Sequence, residues 1–125
     1  MKTLCMLGVF VAVQVLVVQN VNAQRLTERY IPIGKSPGLS GKNTSIATID
    51  TVDTQQGTMT CTGPSGTITV KVDQNTKIWL DRSKQKLTTL EYSLGDCRKG
   101  QIVEVKFRNN DRGIGVAEWI KVATP

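Results

Sequence analysis

Three sets of residues in this chain have the types that do chemistry. Met59 and Cys61 are two positions apart, so on an extended strand their sulfurs share one face. Thioether and thiolate together select Cu(I), which makes this pair a candidate soft-metal site. Asp50 and Asp53 flank a predicted strand end, where two carboxylates can act as acid and base. Trp79 and Trp119, with Lys71, Lys77, Lys106, Arg108 and Lys121, would form a basic aromatic face. On an OB-type barrel such a face holds oligonucleotides or oligosaccharides. Each set has a plainer reading. Cys61 oxidised with Cys97 has no thiolate to offer, the aspartates cap turns, and the tryptophans cover barrel ends or hold the N-terminal arm.

What is missing narrows the chemistry. The chain has no histidine. That excludes Ser-His-Asp and Cys-His catalysis and removes the commonest transition-metal ligand. Ser36 to Asn43 has a phosphate-loop outline, but Ser36 stands where glycine is required and Asn43 where serine or threonine is required. Asp73-Gln74-Asn75 starts like a calcium loop and lacks the later ligands. Asn43-Thr44-Ser45 fits a glycosylation acceptor, which matters only in a host that glycosylates exported proteins. No cofactor is implied, and the expectation is a non-enzymatic binding or structural module.

The compartment follows from residues 1–23. Lys2 precedes an apolar run from Leu4 to Val18, broken only by Gln14, and Val21 and Ala23 take the small-residue positions of a cleavage site. The run is shorter than a membrane span requires, so no transmembrane segment is expected after cleavage. A lipoprotein signal is excluded, because the only early cysteine, Cys5, lies at the start of the run and not after it. Cleavage after Ala23 removes Cys5 and leaves Cys61 and Cys97 outside the reducing cytoplasm, secreted or periplasmic. A bond between them would add about 4 kcal/mol in the chain-entropy view. Loss of Lys2 lowers the formal net charge of +6 by one. The remaining excess favours an anionic polymer or surface as partner.

The elements that would position these residues are short strands. Residues 24–43 hold prolines and glycines that oppose helix and central strand, so they form an extended arm, with Tyr30, Ile31 and Ile33 docked on the body. The body, 44–125, is a single domain. Strands are expected at Ser45 to Asp53, Thr58 to Thr62, Thr67 to Asp73, Thr76 to Asp81, Gln101 to Asn109 and Ile114 to Val122. Leu87, Leu90 and Leu94 recur at helical spacing and predict a short helical turn capping the barrel. Asn110-Asp111-Arg112-Gly113 reads as a hairpin turn. The last strand breaks its own alternation, since Ala117 and Trp119 share a face that excludes Ile120 and Val122. A bulge near Glu118 would resolve this. The fold class is therefore all-β, a small closed barrel of five to six strands, OB-like or SH3-like, with a short helical turn.

Residues 72–78, 94–105 and 117–122 resemble small secreted bacterial domains of unknown function with an OB-like barrel. A more distant likeness is to the periplasmic copper chaperones of the CusF type, which bind Cu(I) through one His, two Met and a Trp. The likeness implies the barrel. It does not carry the ligand set, because this chain lacks histidine and Met59 is its only methionine after residue 23.

Overall fold

A computed structural model describes residues 27–109 and 114–125. The signal segment and the 110–113 turn expected from the sequence lie outside the described residues. Seven strands follow in order: β1 (Ser45–Asp53), β2 (Thr58–Gly63), β3 (Gly66–Lys71), β4 (Lys77–Asp81), β5 (Leu90–Glu91), β6 (Ile102–Phe107) and β7 (Ile114–Ala123). They form one sheet in the order β3-β2-β1-β6-β7-β4-β5. A parallel pairing of β3 with the start of β7, from Thr69 opposite Ile114 to Lys71 opposite Val116, closes five of them into a barrel. The expected small closed all-β barrel is present. β4 and β5 extend the sheet beyond the barrel along the second half of β7.

The barrel interior is filled by residues that alternate along each strand. Ile49, Met59, Cys61, Val70, Val103, Val105 and Phe107 are each at most 1% exposed, so no solvent channel runs through the barrel. The expected bulge in β7 is present. Phe107 pairs with Ala117 and Lys106 with Trp119, which leaves Glu118 as the extra residue. Ala117, Ile120 and Val122 then all point into the core, and Trp119 and Lys121 point out. A second irregularity at Asp50 keeps Ile49 opposite Cys61 while Thr51 stays opposite Thr60.

The segment between β4 and β6 departs from the helical expectation. It contains two 3₁₀ turns, Ser83–Gln85 and Leu94–Asp96, on either side of β5. Lys86 adopts a left-handed φ of 58°, which ends the first turn. Leu87 and Leu90 are 52% and 45% exposed, and only Leu94 packs on the core. Three leucines at helical spacing do not overcome the cost of nucleating a helix, and Leu90 instead pairs with Leu80.

The β7 bulge sets a test. Deleting Glu118 places Trp119 directly after Ala117, still opposite Lys106, so Trp119–Val122 keep their faces and the variant should still unfold cooperatively by circular dichroism. Glu118→Ala keeps the residue count and loses only the half-exposed Lys106 ion pair, worth about 0–1 kcal/mol. It should melt close to the parent.

Candidate functional site

The outer face of β6, β7 and β4 carries the residues that the sequence grouped as a binding surface. Register sets them in two rows. Glu104, Lys121 and Trp79 are neighbours across the three strands, and so are Lys106, Trp119 and Lys77. The tryptophan rings lie 6.0 Å apart, and the Lys121 ammonium sits 4.7 Å from the centre of the Trp119 ring. Trp79 and Trp119 are only 6% exposed, Glu104 is fully buried and Lys121 is 1% exposed.

The N-terminal segment shares in this burial. It docks as expected, through successive turns closed by backbone hydrogen bonds from Tyr30 to Asn43 and not as one extended stretch. Gly34, Gly38 and Gly41 supply the positive φ values those turns need. Its polar atoms meet the buried charges of the sheet. Glu104 accepts the Gly34 amide at 2.9 Å on one oxygen, and the Ser40 and Thr44 hydroxyls at 2.7 Å on the other. Lys121 donates to Glu28 at 2.8 Å and to the Ser36 hydroxyl at 3.1 Å, and Ser36 in turn donates to Glu28. Asp81 accepts the Ile33 and Ser83 amides. Burial pushes the Asp81 carboxyl up, but these bonds and the Lys121 charge outweigh it and hold the group below the usual carboxylate range. Tyr30 departs from the expectation: it is 56% exposed, while Ile31 and Ile33 are half-buried.

The expected basic aromatic face is therefore not open. Lys121 belongs to the interface with the arm, and both tryptophans are buried beside it. Lys106 pairs with Glu118 at 2.8 Å, and Arg108 holds Asp73 through two nitrogens at 2.7 and 3.0 Å. The Arg108 guanidinium holds the Asp73 carboxyl well below its ordinary range. Of the seven grouped residues, only Lys71 and Lys77 are both exposed and without an ion-pair partner among the described residues.

No family model, curated protein or solved structure matches this chain. What it can do must be read from its own groups.

The carboxylates are all engaged. Glu28, Asp73, Glu91 and Glu118 pair with Lys121, Arg108, Arg29 and Lys106. Asp50 accepts Thr62, Asp53 accepts two turn amides, Asp96 accepts Ser93, and Asp81 and Glu104 receive the arm. Asp50 and Asp53 thus have the capping roles that compete with acid–base work. A cleft of about 340 Å³ lies between the end of the arm and the β2–β3 turn. Gly41, Thr44, Ile46, Gly63 and Pro64 are among its lining residues, and no titratable side chain lines it.

Met59 and Cys61 do share one face, and it is the barrel interior, at 1% and 0% exposure. Burial pushes the Cys61 thiol up to about 12, with the Asp50 charge and Cys97 adding to the effect. Cys97, beside the core at 2% exposure, is raised to about 11, again chiefly by burial. Both cysteines are buried free thiols in this structure. Ile49 links their segments, pairing with Cys61 in β2 and exchanging backbone hydrogen bonds with Gly100 and Gln101 on its other side.

Sequence reasoning predicted that the arm docks and missed what it docks on. The buried Glu104–Lys121 row has no local signature, because outward Glu and Lys on a strand normally read as solvated positions. The ion pair at its centre is testable. Glu28→Ala leaves Lys121 charged and buried with a single hydroxyl partner, and should cost about 3 kcal/mol in urea unfolding. Arg29→Ala, which breaks only the pair to the exposed Glu91, should cost under about 1 kcal/mol.

Proposed function

We propose that this protein is a secreted or periplasmic, non-enzymatic barrel module that recognises an anionic partner through its exposed lysines. The observation that carries this reading is the distribution of charge. The chain carries a formal net charge of +6, and Lys35, Lys42, Lys71, Lys77, Lys84, Lys86 and Lys99 are exposed without an ion-pair partner among the described residues. The potential that faces an approaching molecule is positive, and it draws anions from a distance. The tryptophans are buried, so they enter this function as structure and not as a stacking platform.

Residues 1–23 support export, and export supports a Cys61–Cys97 disulfide. A thiol–disulfide oxidant of the envelope would take one hydrogen from each thiol as the bond forms. The bond would tie β2 to the turn before β6 and leave Met59 without a soft partner.

Two measurements check this reading. Intact mass of the exported protein should place the N-terminus at Gln24, with two hydrogens missing and no thiol that alkylates after denaturation. Two alkylated thiols would remove the disulfide. Retention on heparin should weaken steeply as salt rises. Absence of retention at low salt, or retention indifferent to salt, would remove the anionic partner.

A further inference from the structure

The free edge of the sheet is at β5, and three of the five exposed large apolar side chains among the described residues gather there. Leu90 belongs to β5, and Leu87 lies in the loop that leads into it. Tyr30 is brought to the same edge by its neighbour. The Arg29 guanidinium pairs with Glu91 of β5 at 3.2 Å and stands 5.1 Å from the centre of the Tyr30 ring.

The loop is fixed in this form. The Leu87 amide donates to the Arg82 carbonyl at 3.2 Å, and the Arg82 side chain donates to the Thr88 carbonyl at 2.6 Å. Among the described residues, Lys86 is the one residue other than glycine with a positive φ, and an L side chain there costs conformational energy. The strained turn leaves Leu87 half in water.

The charges at this edge do not cancel. From Arg82 to Leu90 the chain has three cations and no acid. Asp81 keeps its charge while it accepts the Ser83 and Ile33 amides, so three less one leaves a surplus of two positive charges. Arg29 neutralises Glu91, and Lys121 neutralises Glu28. Asp96 and Arg98, past the far end of β5, act in opposite senses on Cys97. Glu104 is three strands in from β5. Ordinary strand spacing puts it about 14 Å away, beyond the screening length of ~8 Å. Lys86 adjoins Leu87 and Lys84 lies in the 3₁₀ turn just before it, both exposed, so their charges belong to this loop whatever their rotamers.

Exposed leucines and a tyrosine beside surplus cations suit an anionic bilayer surface. The apolar side chains enter the headgroup boundary and the ammonium groups stay at the lipid phosphates. Other occupants fit less well. β5 has two residues, too few to template a strand from a second copy. The cleft described above lies at the β2–β3 turn, so this edge presents a projection and not a socket.

We propose that the β5 edge docks on an anionic lipid bilayer, with Leu87, Leu90 and Tyr30 at the headgroup boundary and Lys84 and Lys86 on lipid phosphates. The proposal rests on the anionic-partner reading and names its partner.

The test sediments purified protein with vesicles of phosphatidylglycerol and phosphatidylcholine in equal parts, and with vesicles of phosphatidylcholine alone. The mixed vesicles should bind, and the neutral ones at least about tenfold more weakly. Leu87→Ser/Leu90→Ser should weaken binding to the mixed vesicles about tenfold and leave heparin retention unchanged. Ile102→Ser, which removes a comparably exposed apolar side chain on β6, should change vesicle affinity by less than about twofold. Lys84→Gln/Lys86→Gln should weaken vesicle binding about tenfold, and Lys42→Gln/Lys71→Gln, which removes equal charge elsewhere, several-fold less. Urea unfolding checks that each variant is folded. Equal losses from the two lysine pairs, or no loss from the leucine pair, would show that the edge is not the docking site. Equal binding to neutral vesicles overturns the role of charge. Retention on heparin without binding to the mixed vesicles overturns the lipid surface and leaves the anionic-partner reading standing. Absence of both overturns both.

Discussion

Two charges lie almost out of water on the outside of this barrel, and the rest of the molecule is arranged around satisfying them. Glu104 and Lys121 are cross-strand neighbours on β6 and β7, yet each is bonded chiefly to the N-terminal arm. An ion removed from water costs several kcal/mol unless its hydrogen bonds are replaced. Here a backbone amide, three hydroxyls and one carboxylate replace them, all from residues 28–44. The arm is thereby an integral layer of the domain, although no strand of the sheet belongs to it.

That arrangement separates two kinds of surface. Over β6, β7 and β4 the polar groups are turned inward, onto the arm and onto the Trp79–Trp119 pair. Over β1, β2 and β3 the outward positions are exposed or half-exposed among the described residues, and most are threonines held in cross-strand register. The molecule thus has one face that its own chain has taken and one that it has left open. Acidic side chains are spent on capping, pairing and docking, so the exposed surplus is basic.

Much of the barrel was legible in the sequence. Alternation over Ile68, Val70 and Val72 and over Val103, Val105 and Phe107 marks strands whose inner faces are buried or half-buried. The broken alternation around Trp119 called for the bulge that Glu118 provides. The region after β4 was read wrongly because Leu87, Leu90 and Leu94 mimic a helical stripe, while strand pairing with Leu80 is a non-local event that spacing does not reveal. The site was less legible for a related reason. Trp79, Trp119 and Lys121 were correctly grouped on one side of the sheet, but exposure depends on what lies above a face. That depended on hydrogen bonds between residues some 60 to 90 positions apart.

The span of that network has a consequence for how the chain acquires its shape. Glu28 and Lys121 are separated by 93 positions, so their contact joins nearly the two ends of the described chain. A polypeptide emerging N-terminus first presents Glu28 early and Lys121 almost last. The arm must wait, unanchored, until β7 has been made and laid between β6 and β4. Closing so long a loop is slow compared with forming a hairpin. The domain is thus sealed in a late step, by contacts that join its first described residues to its last strand.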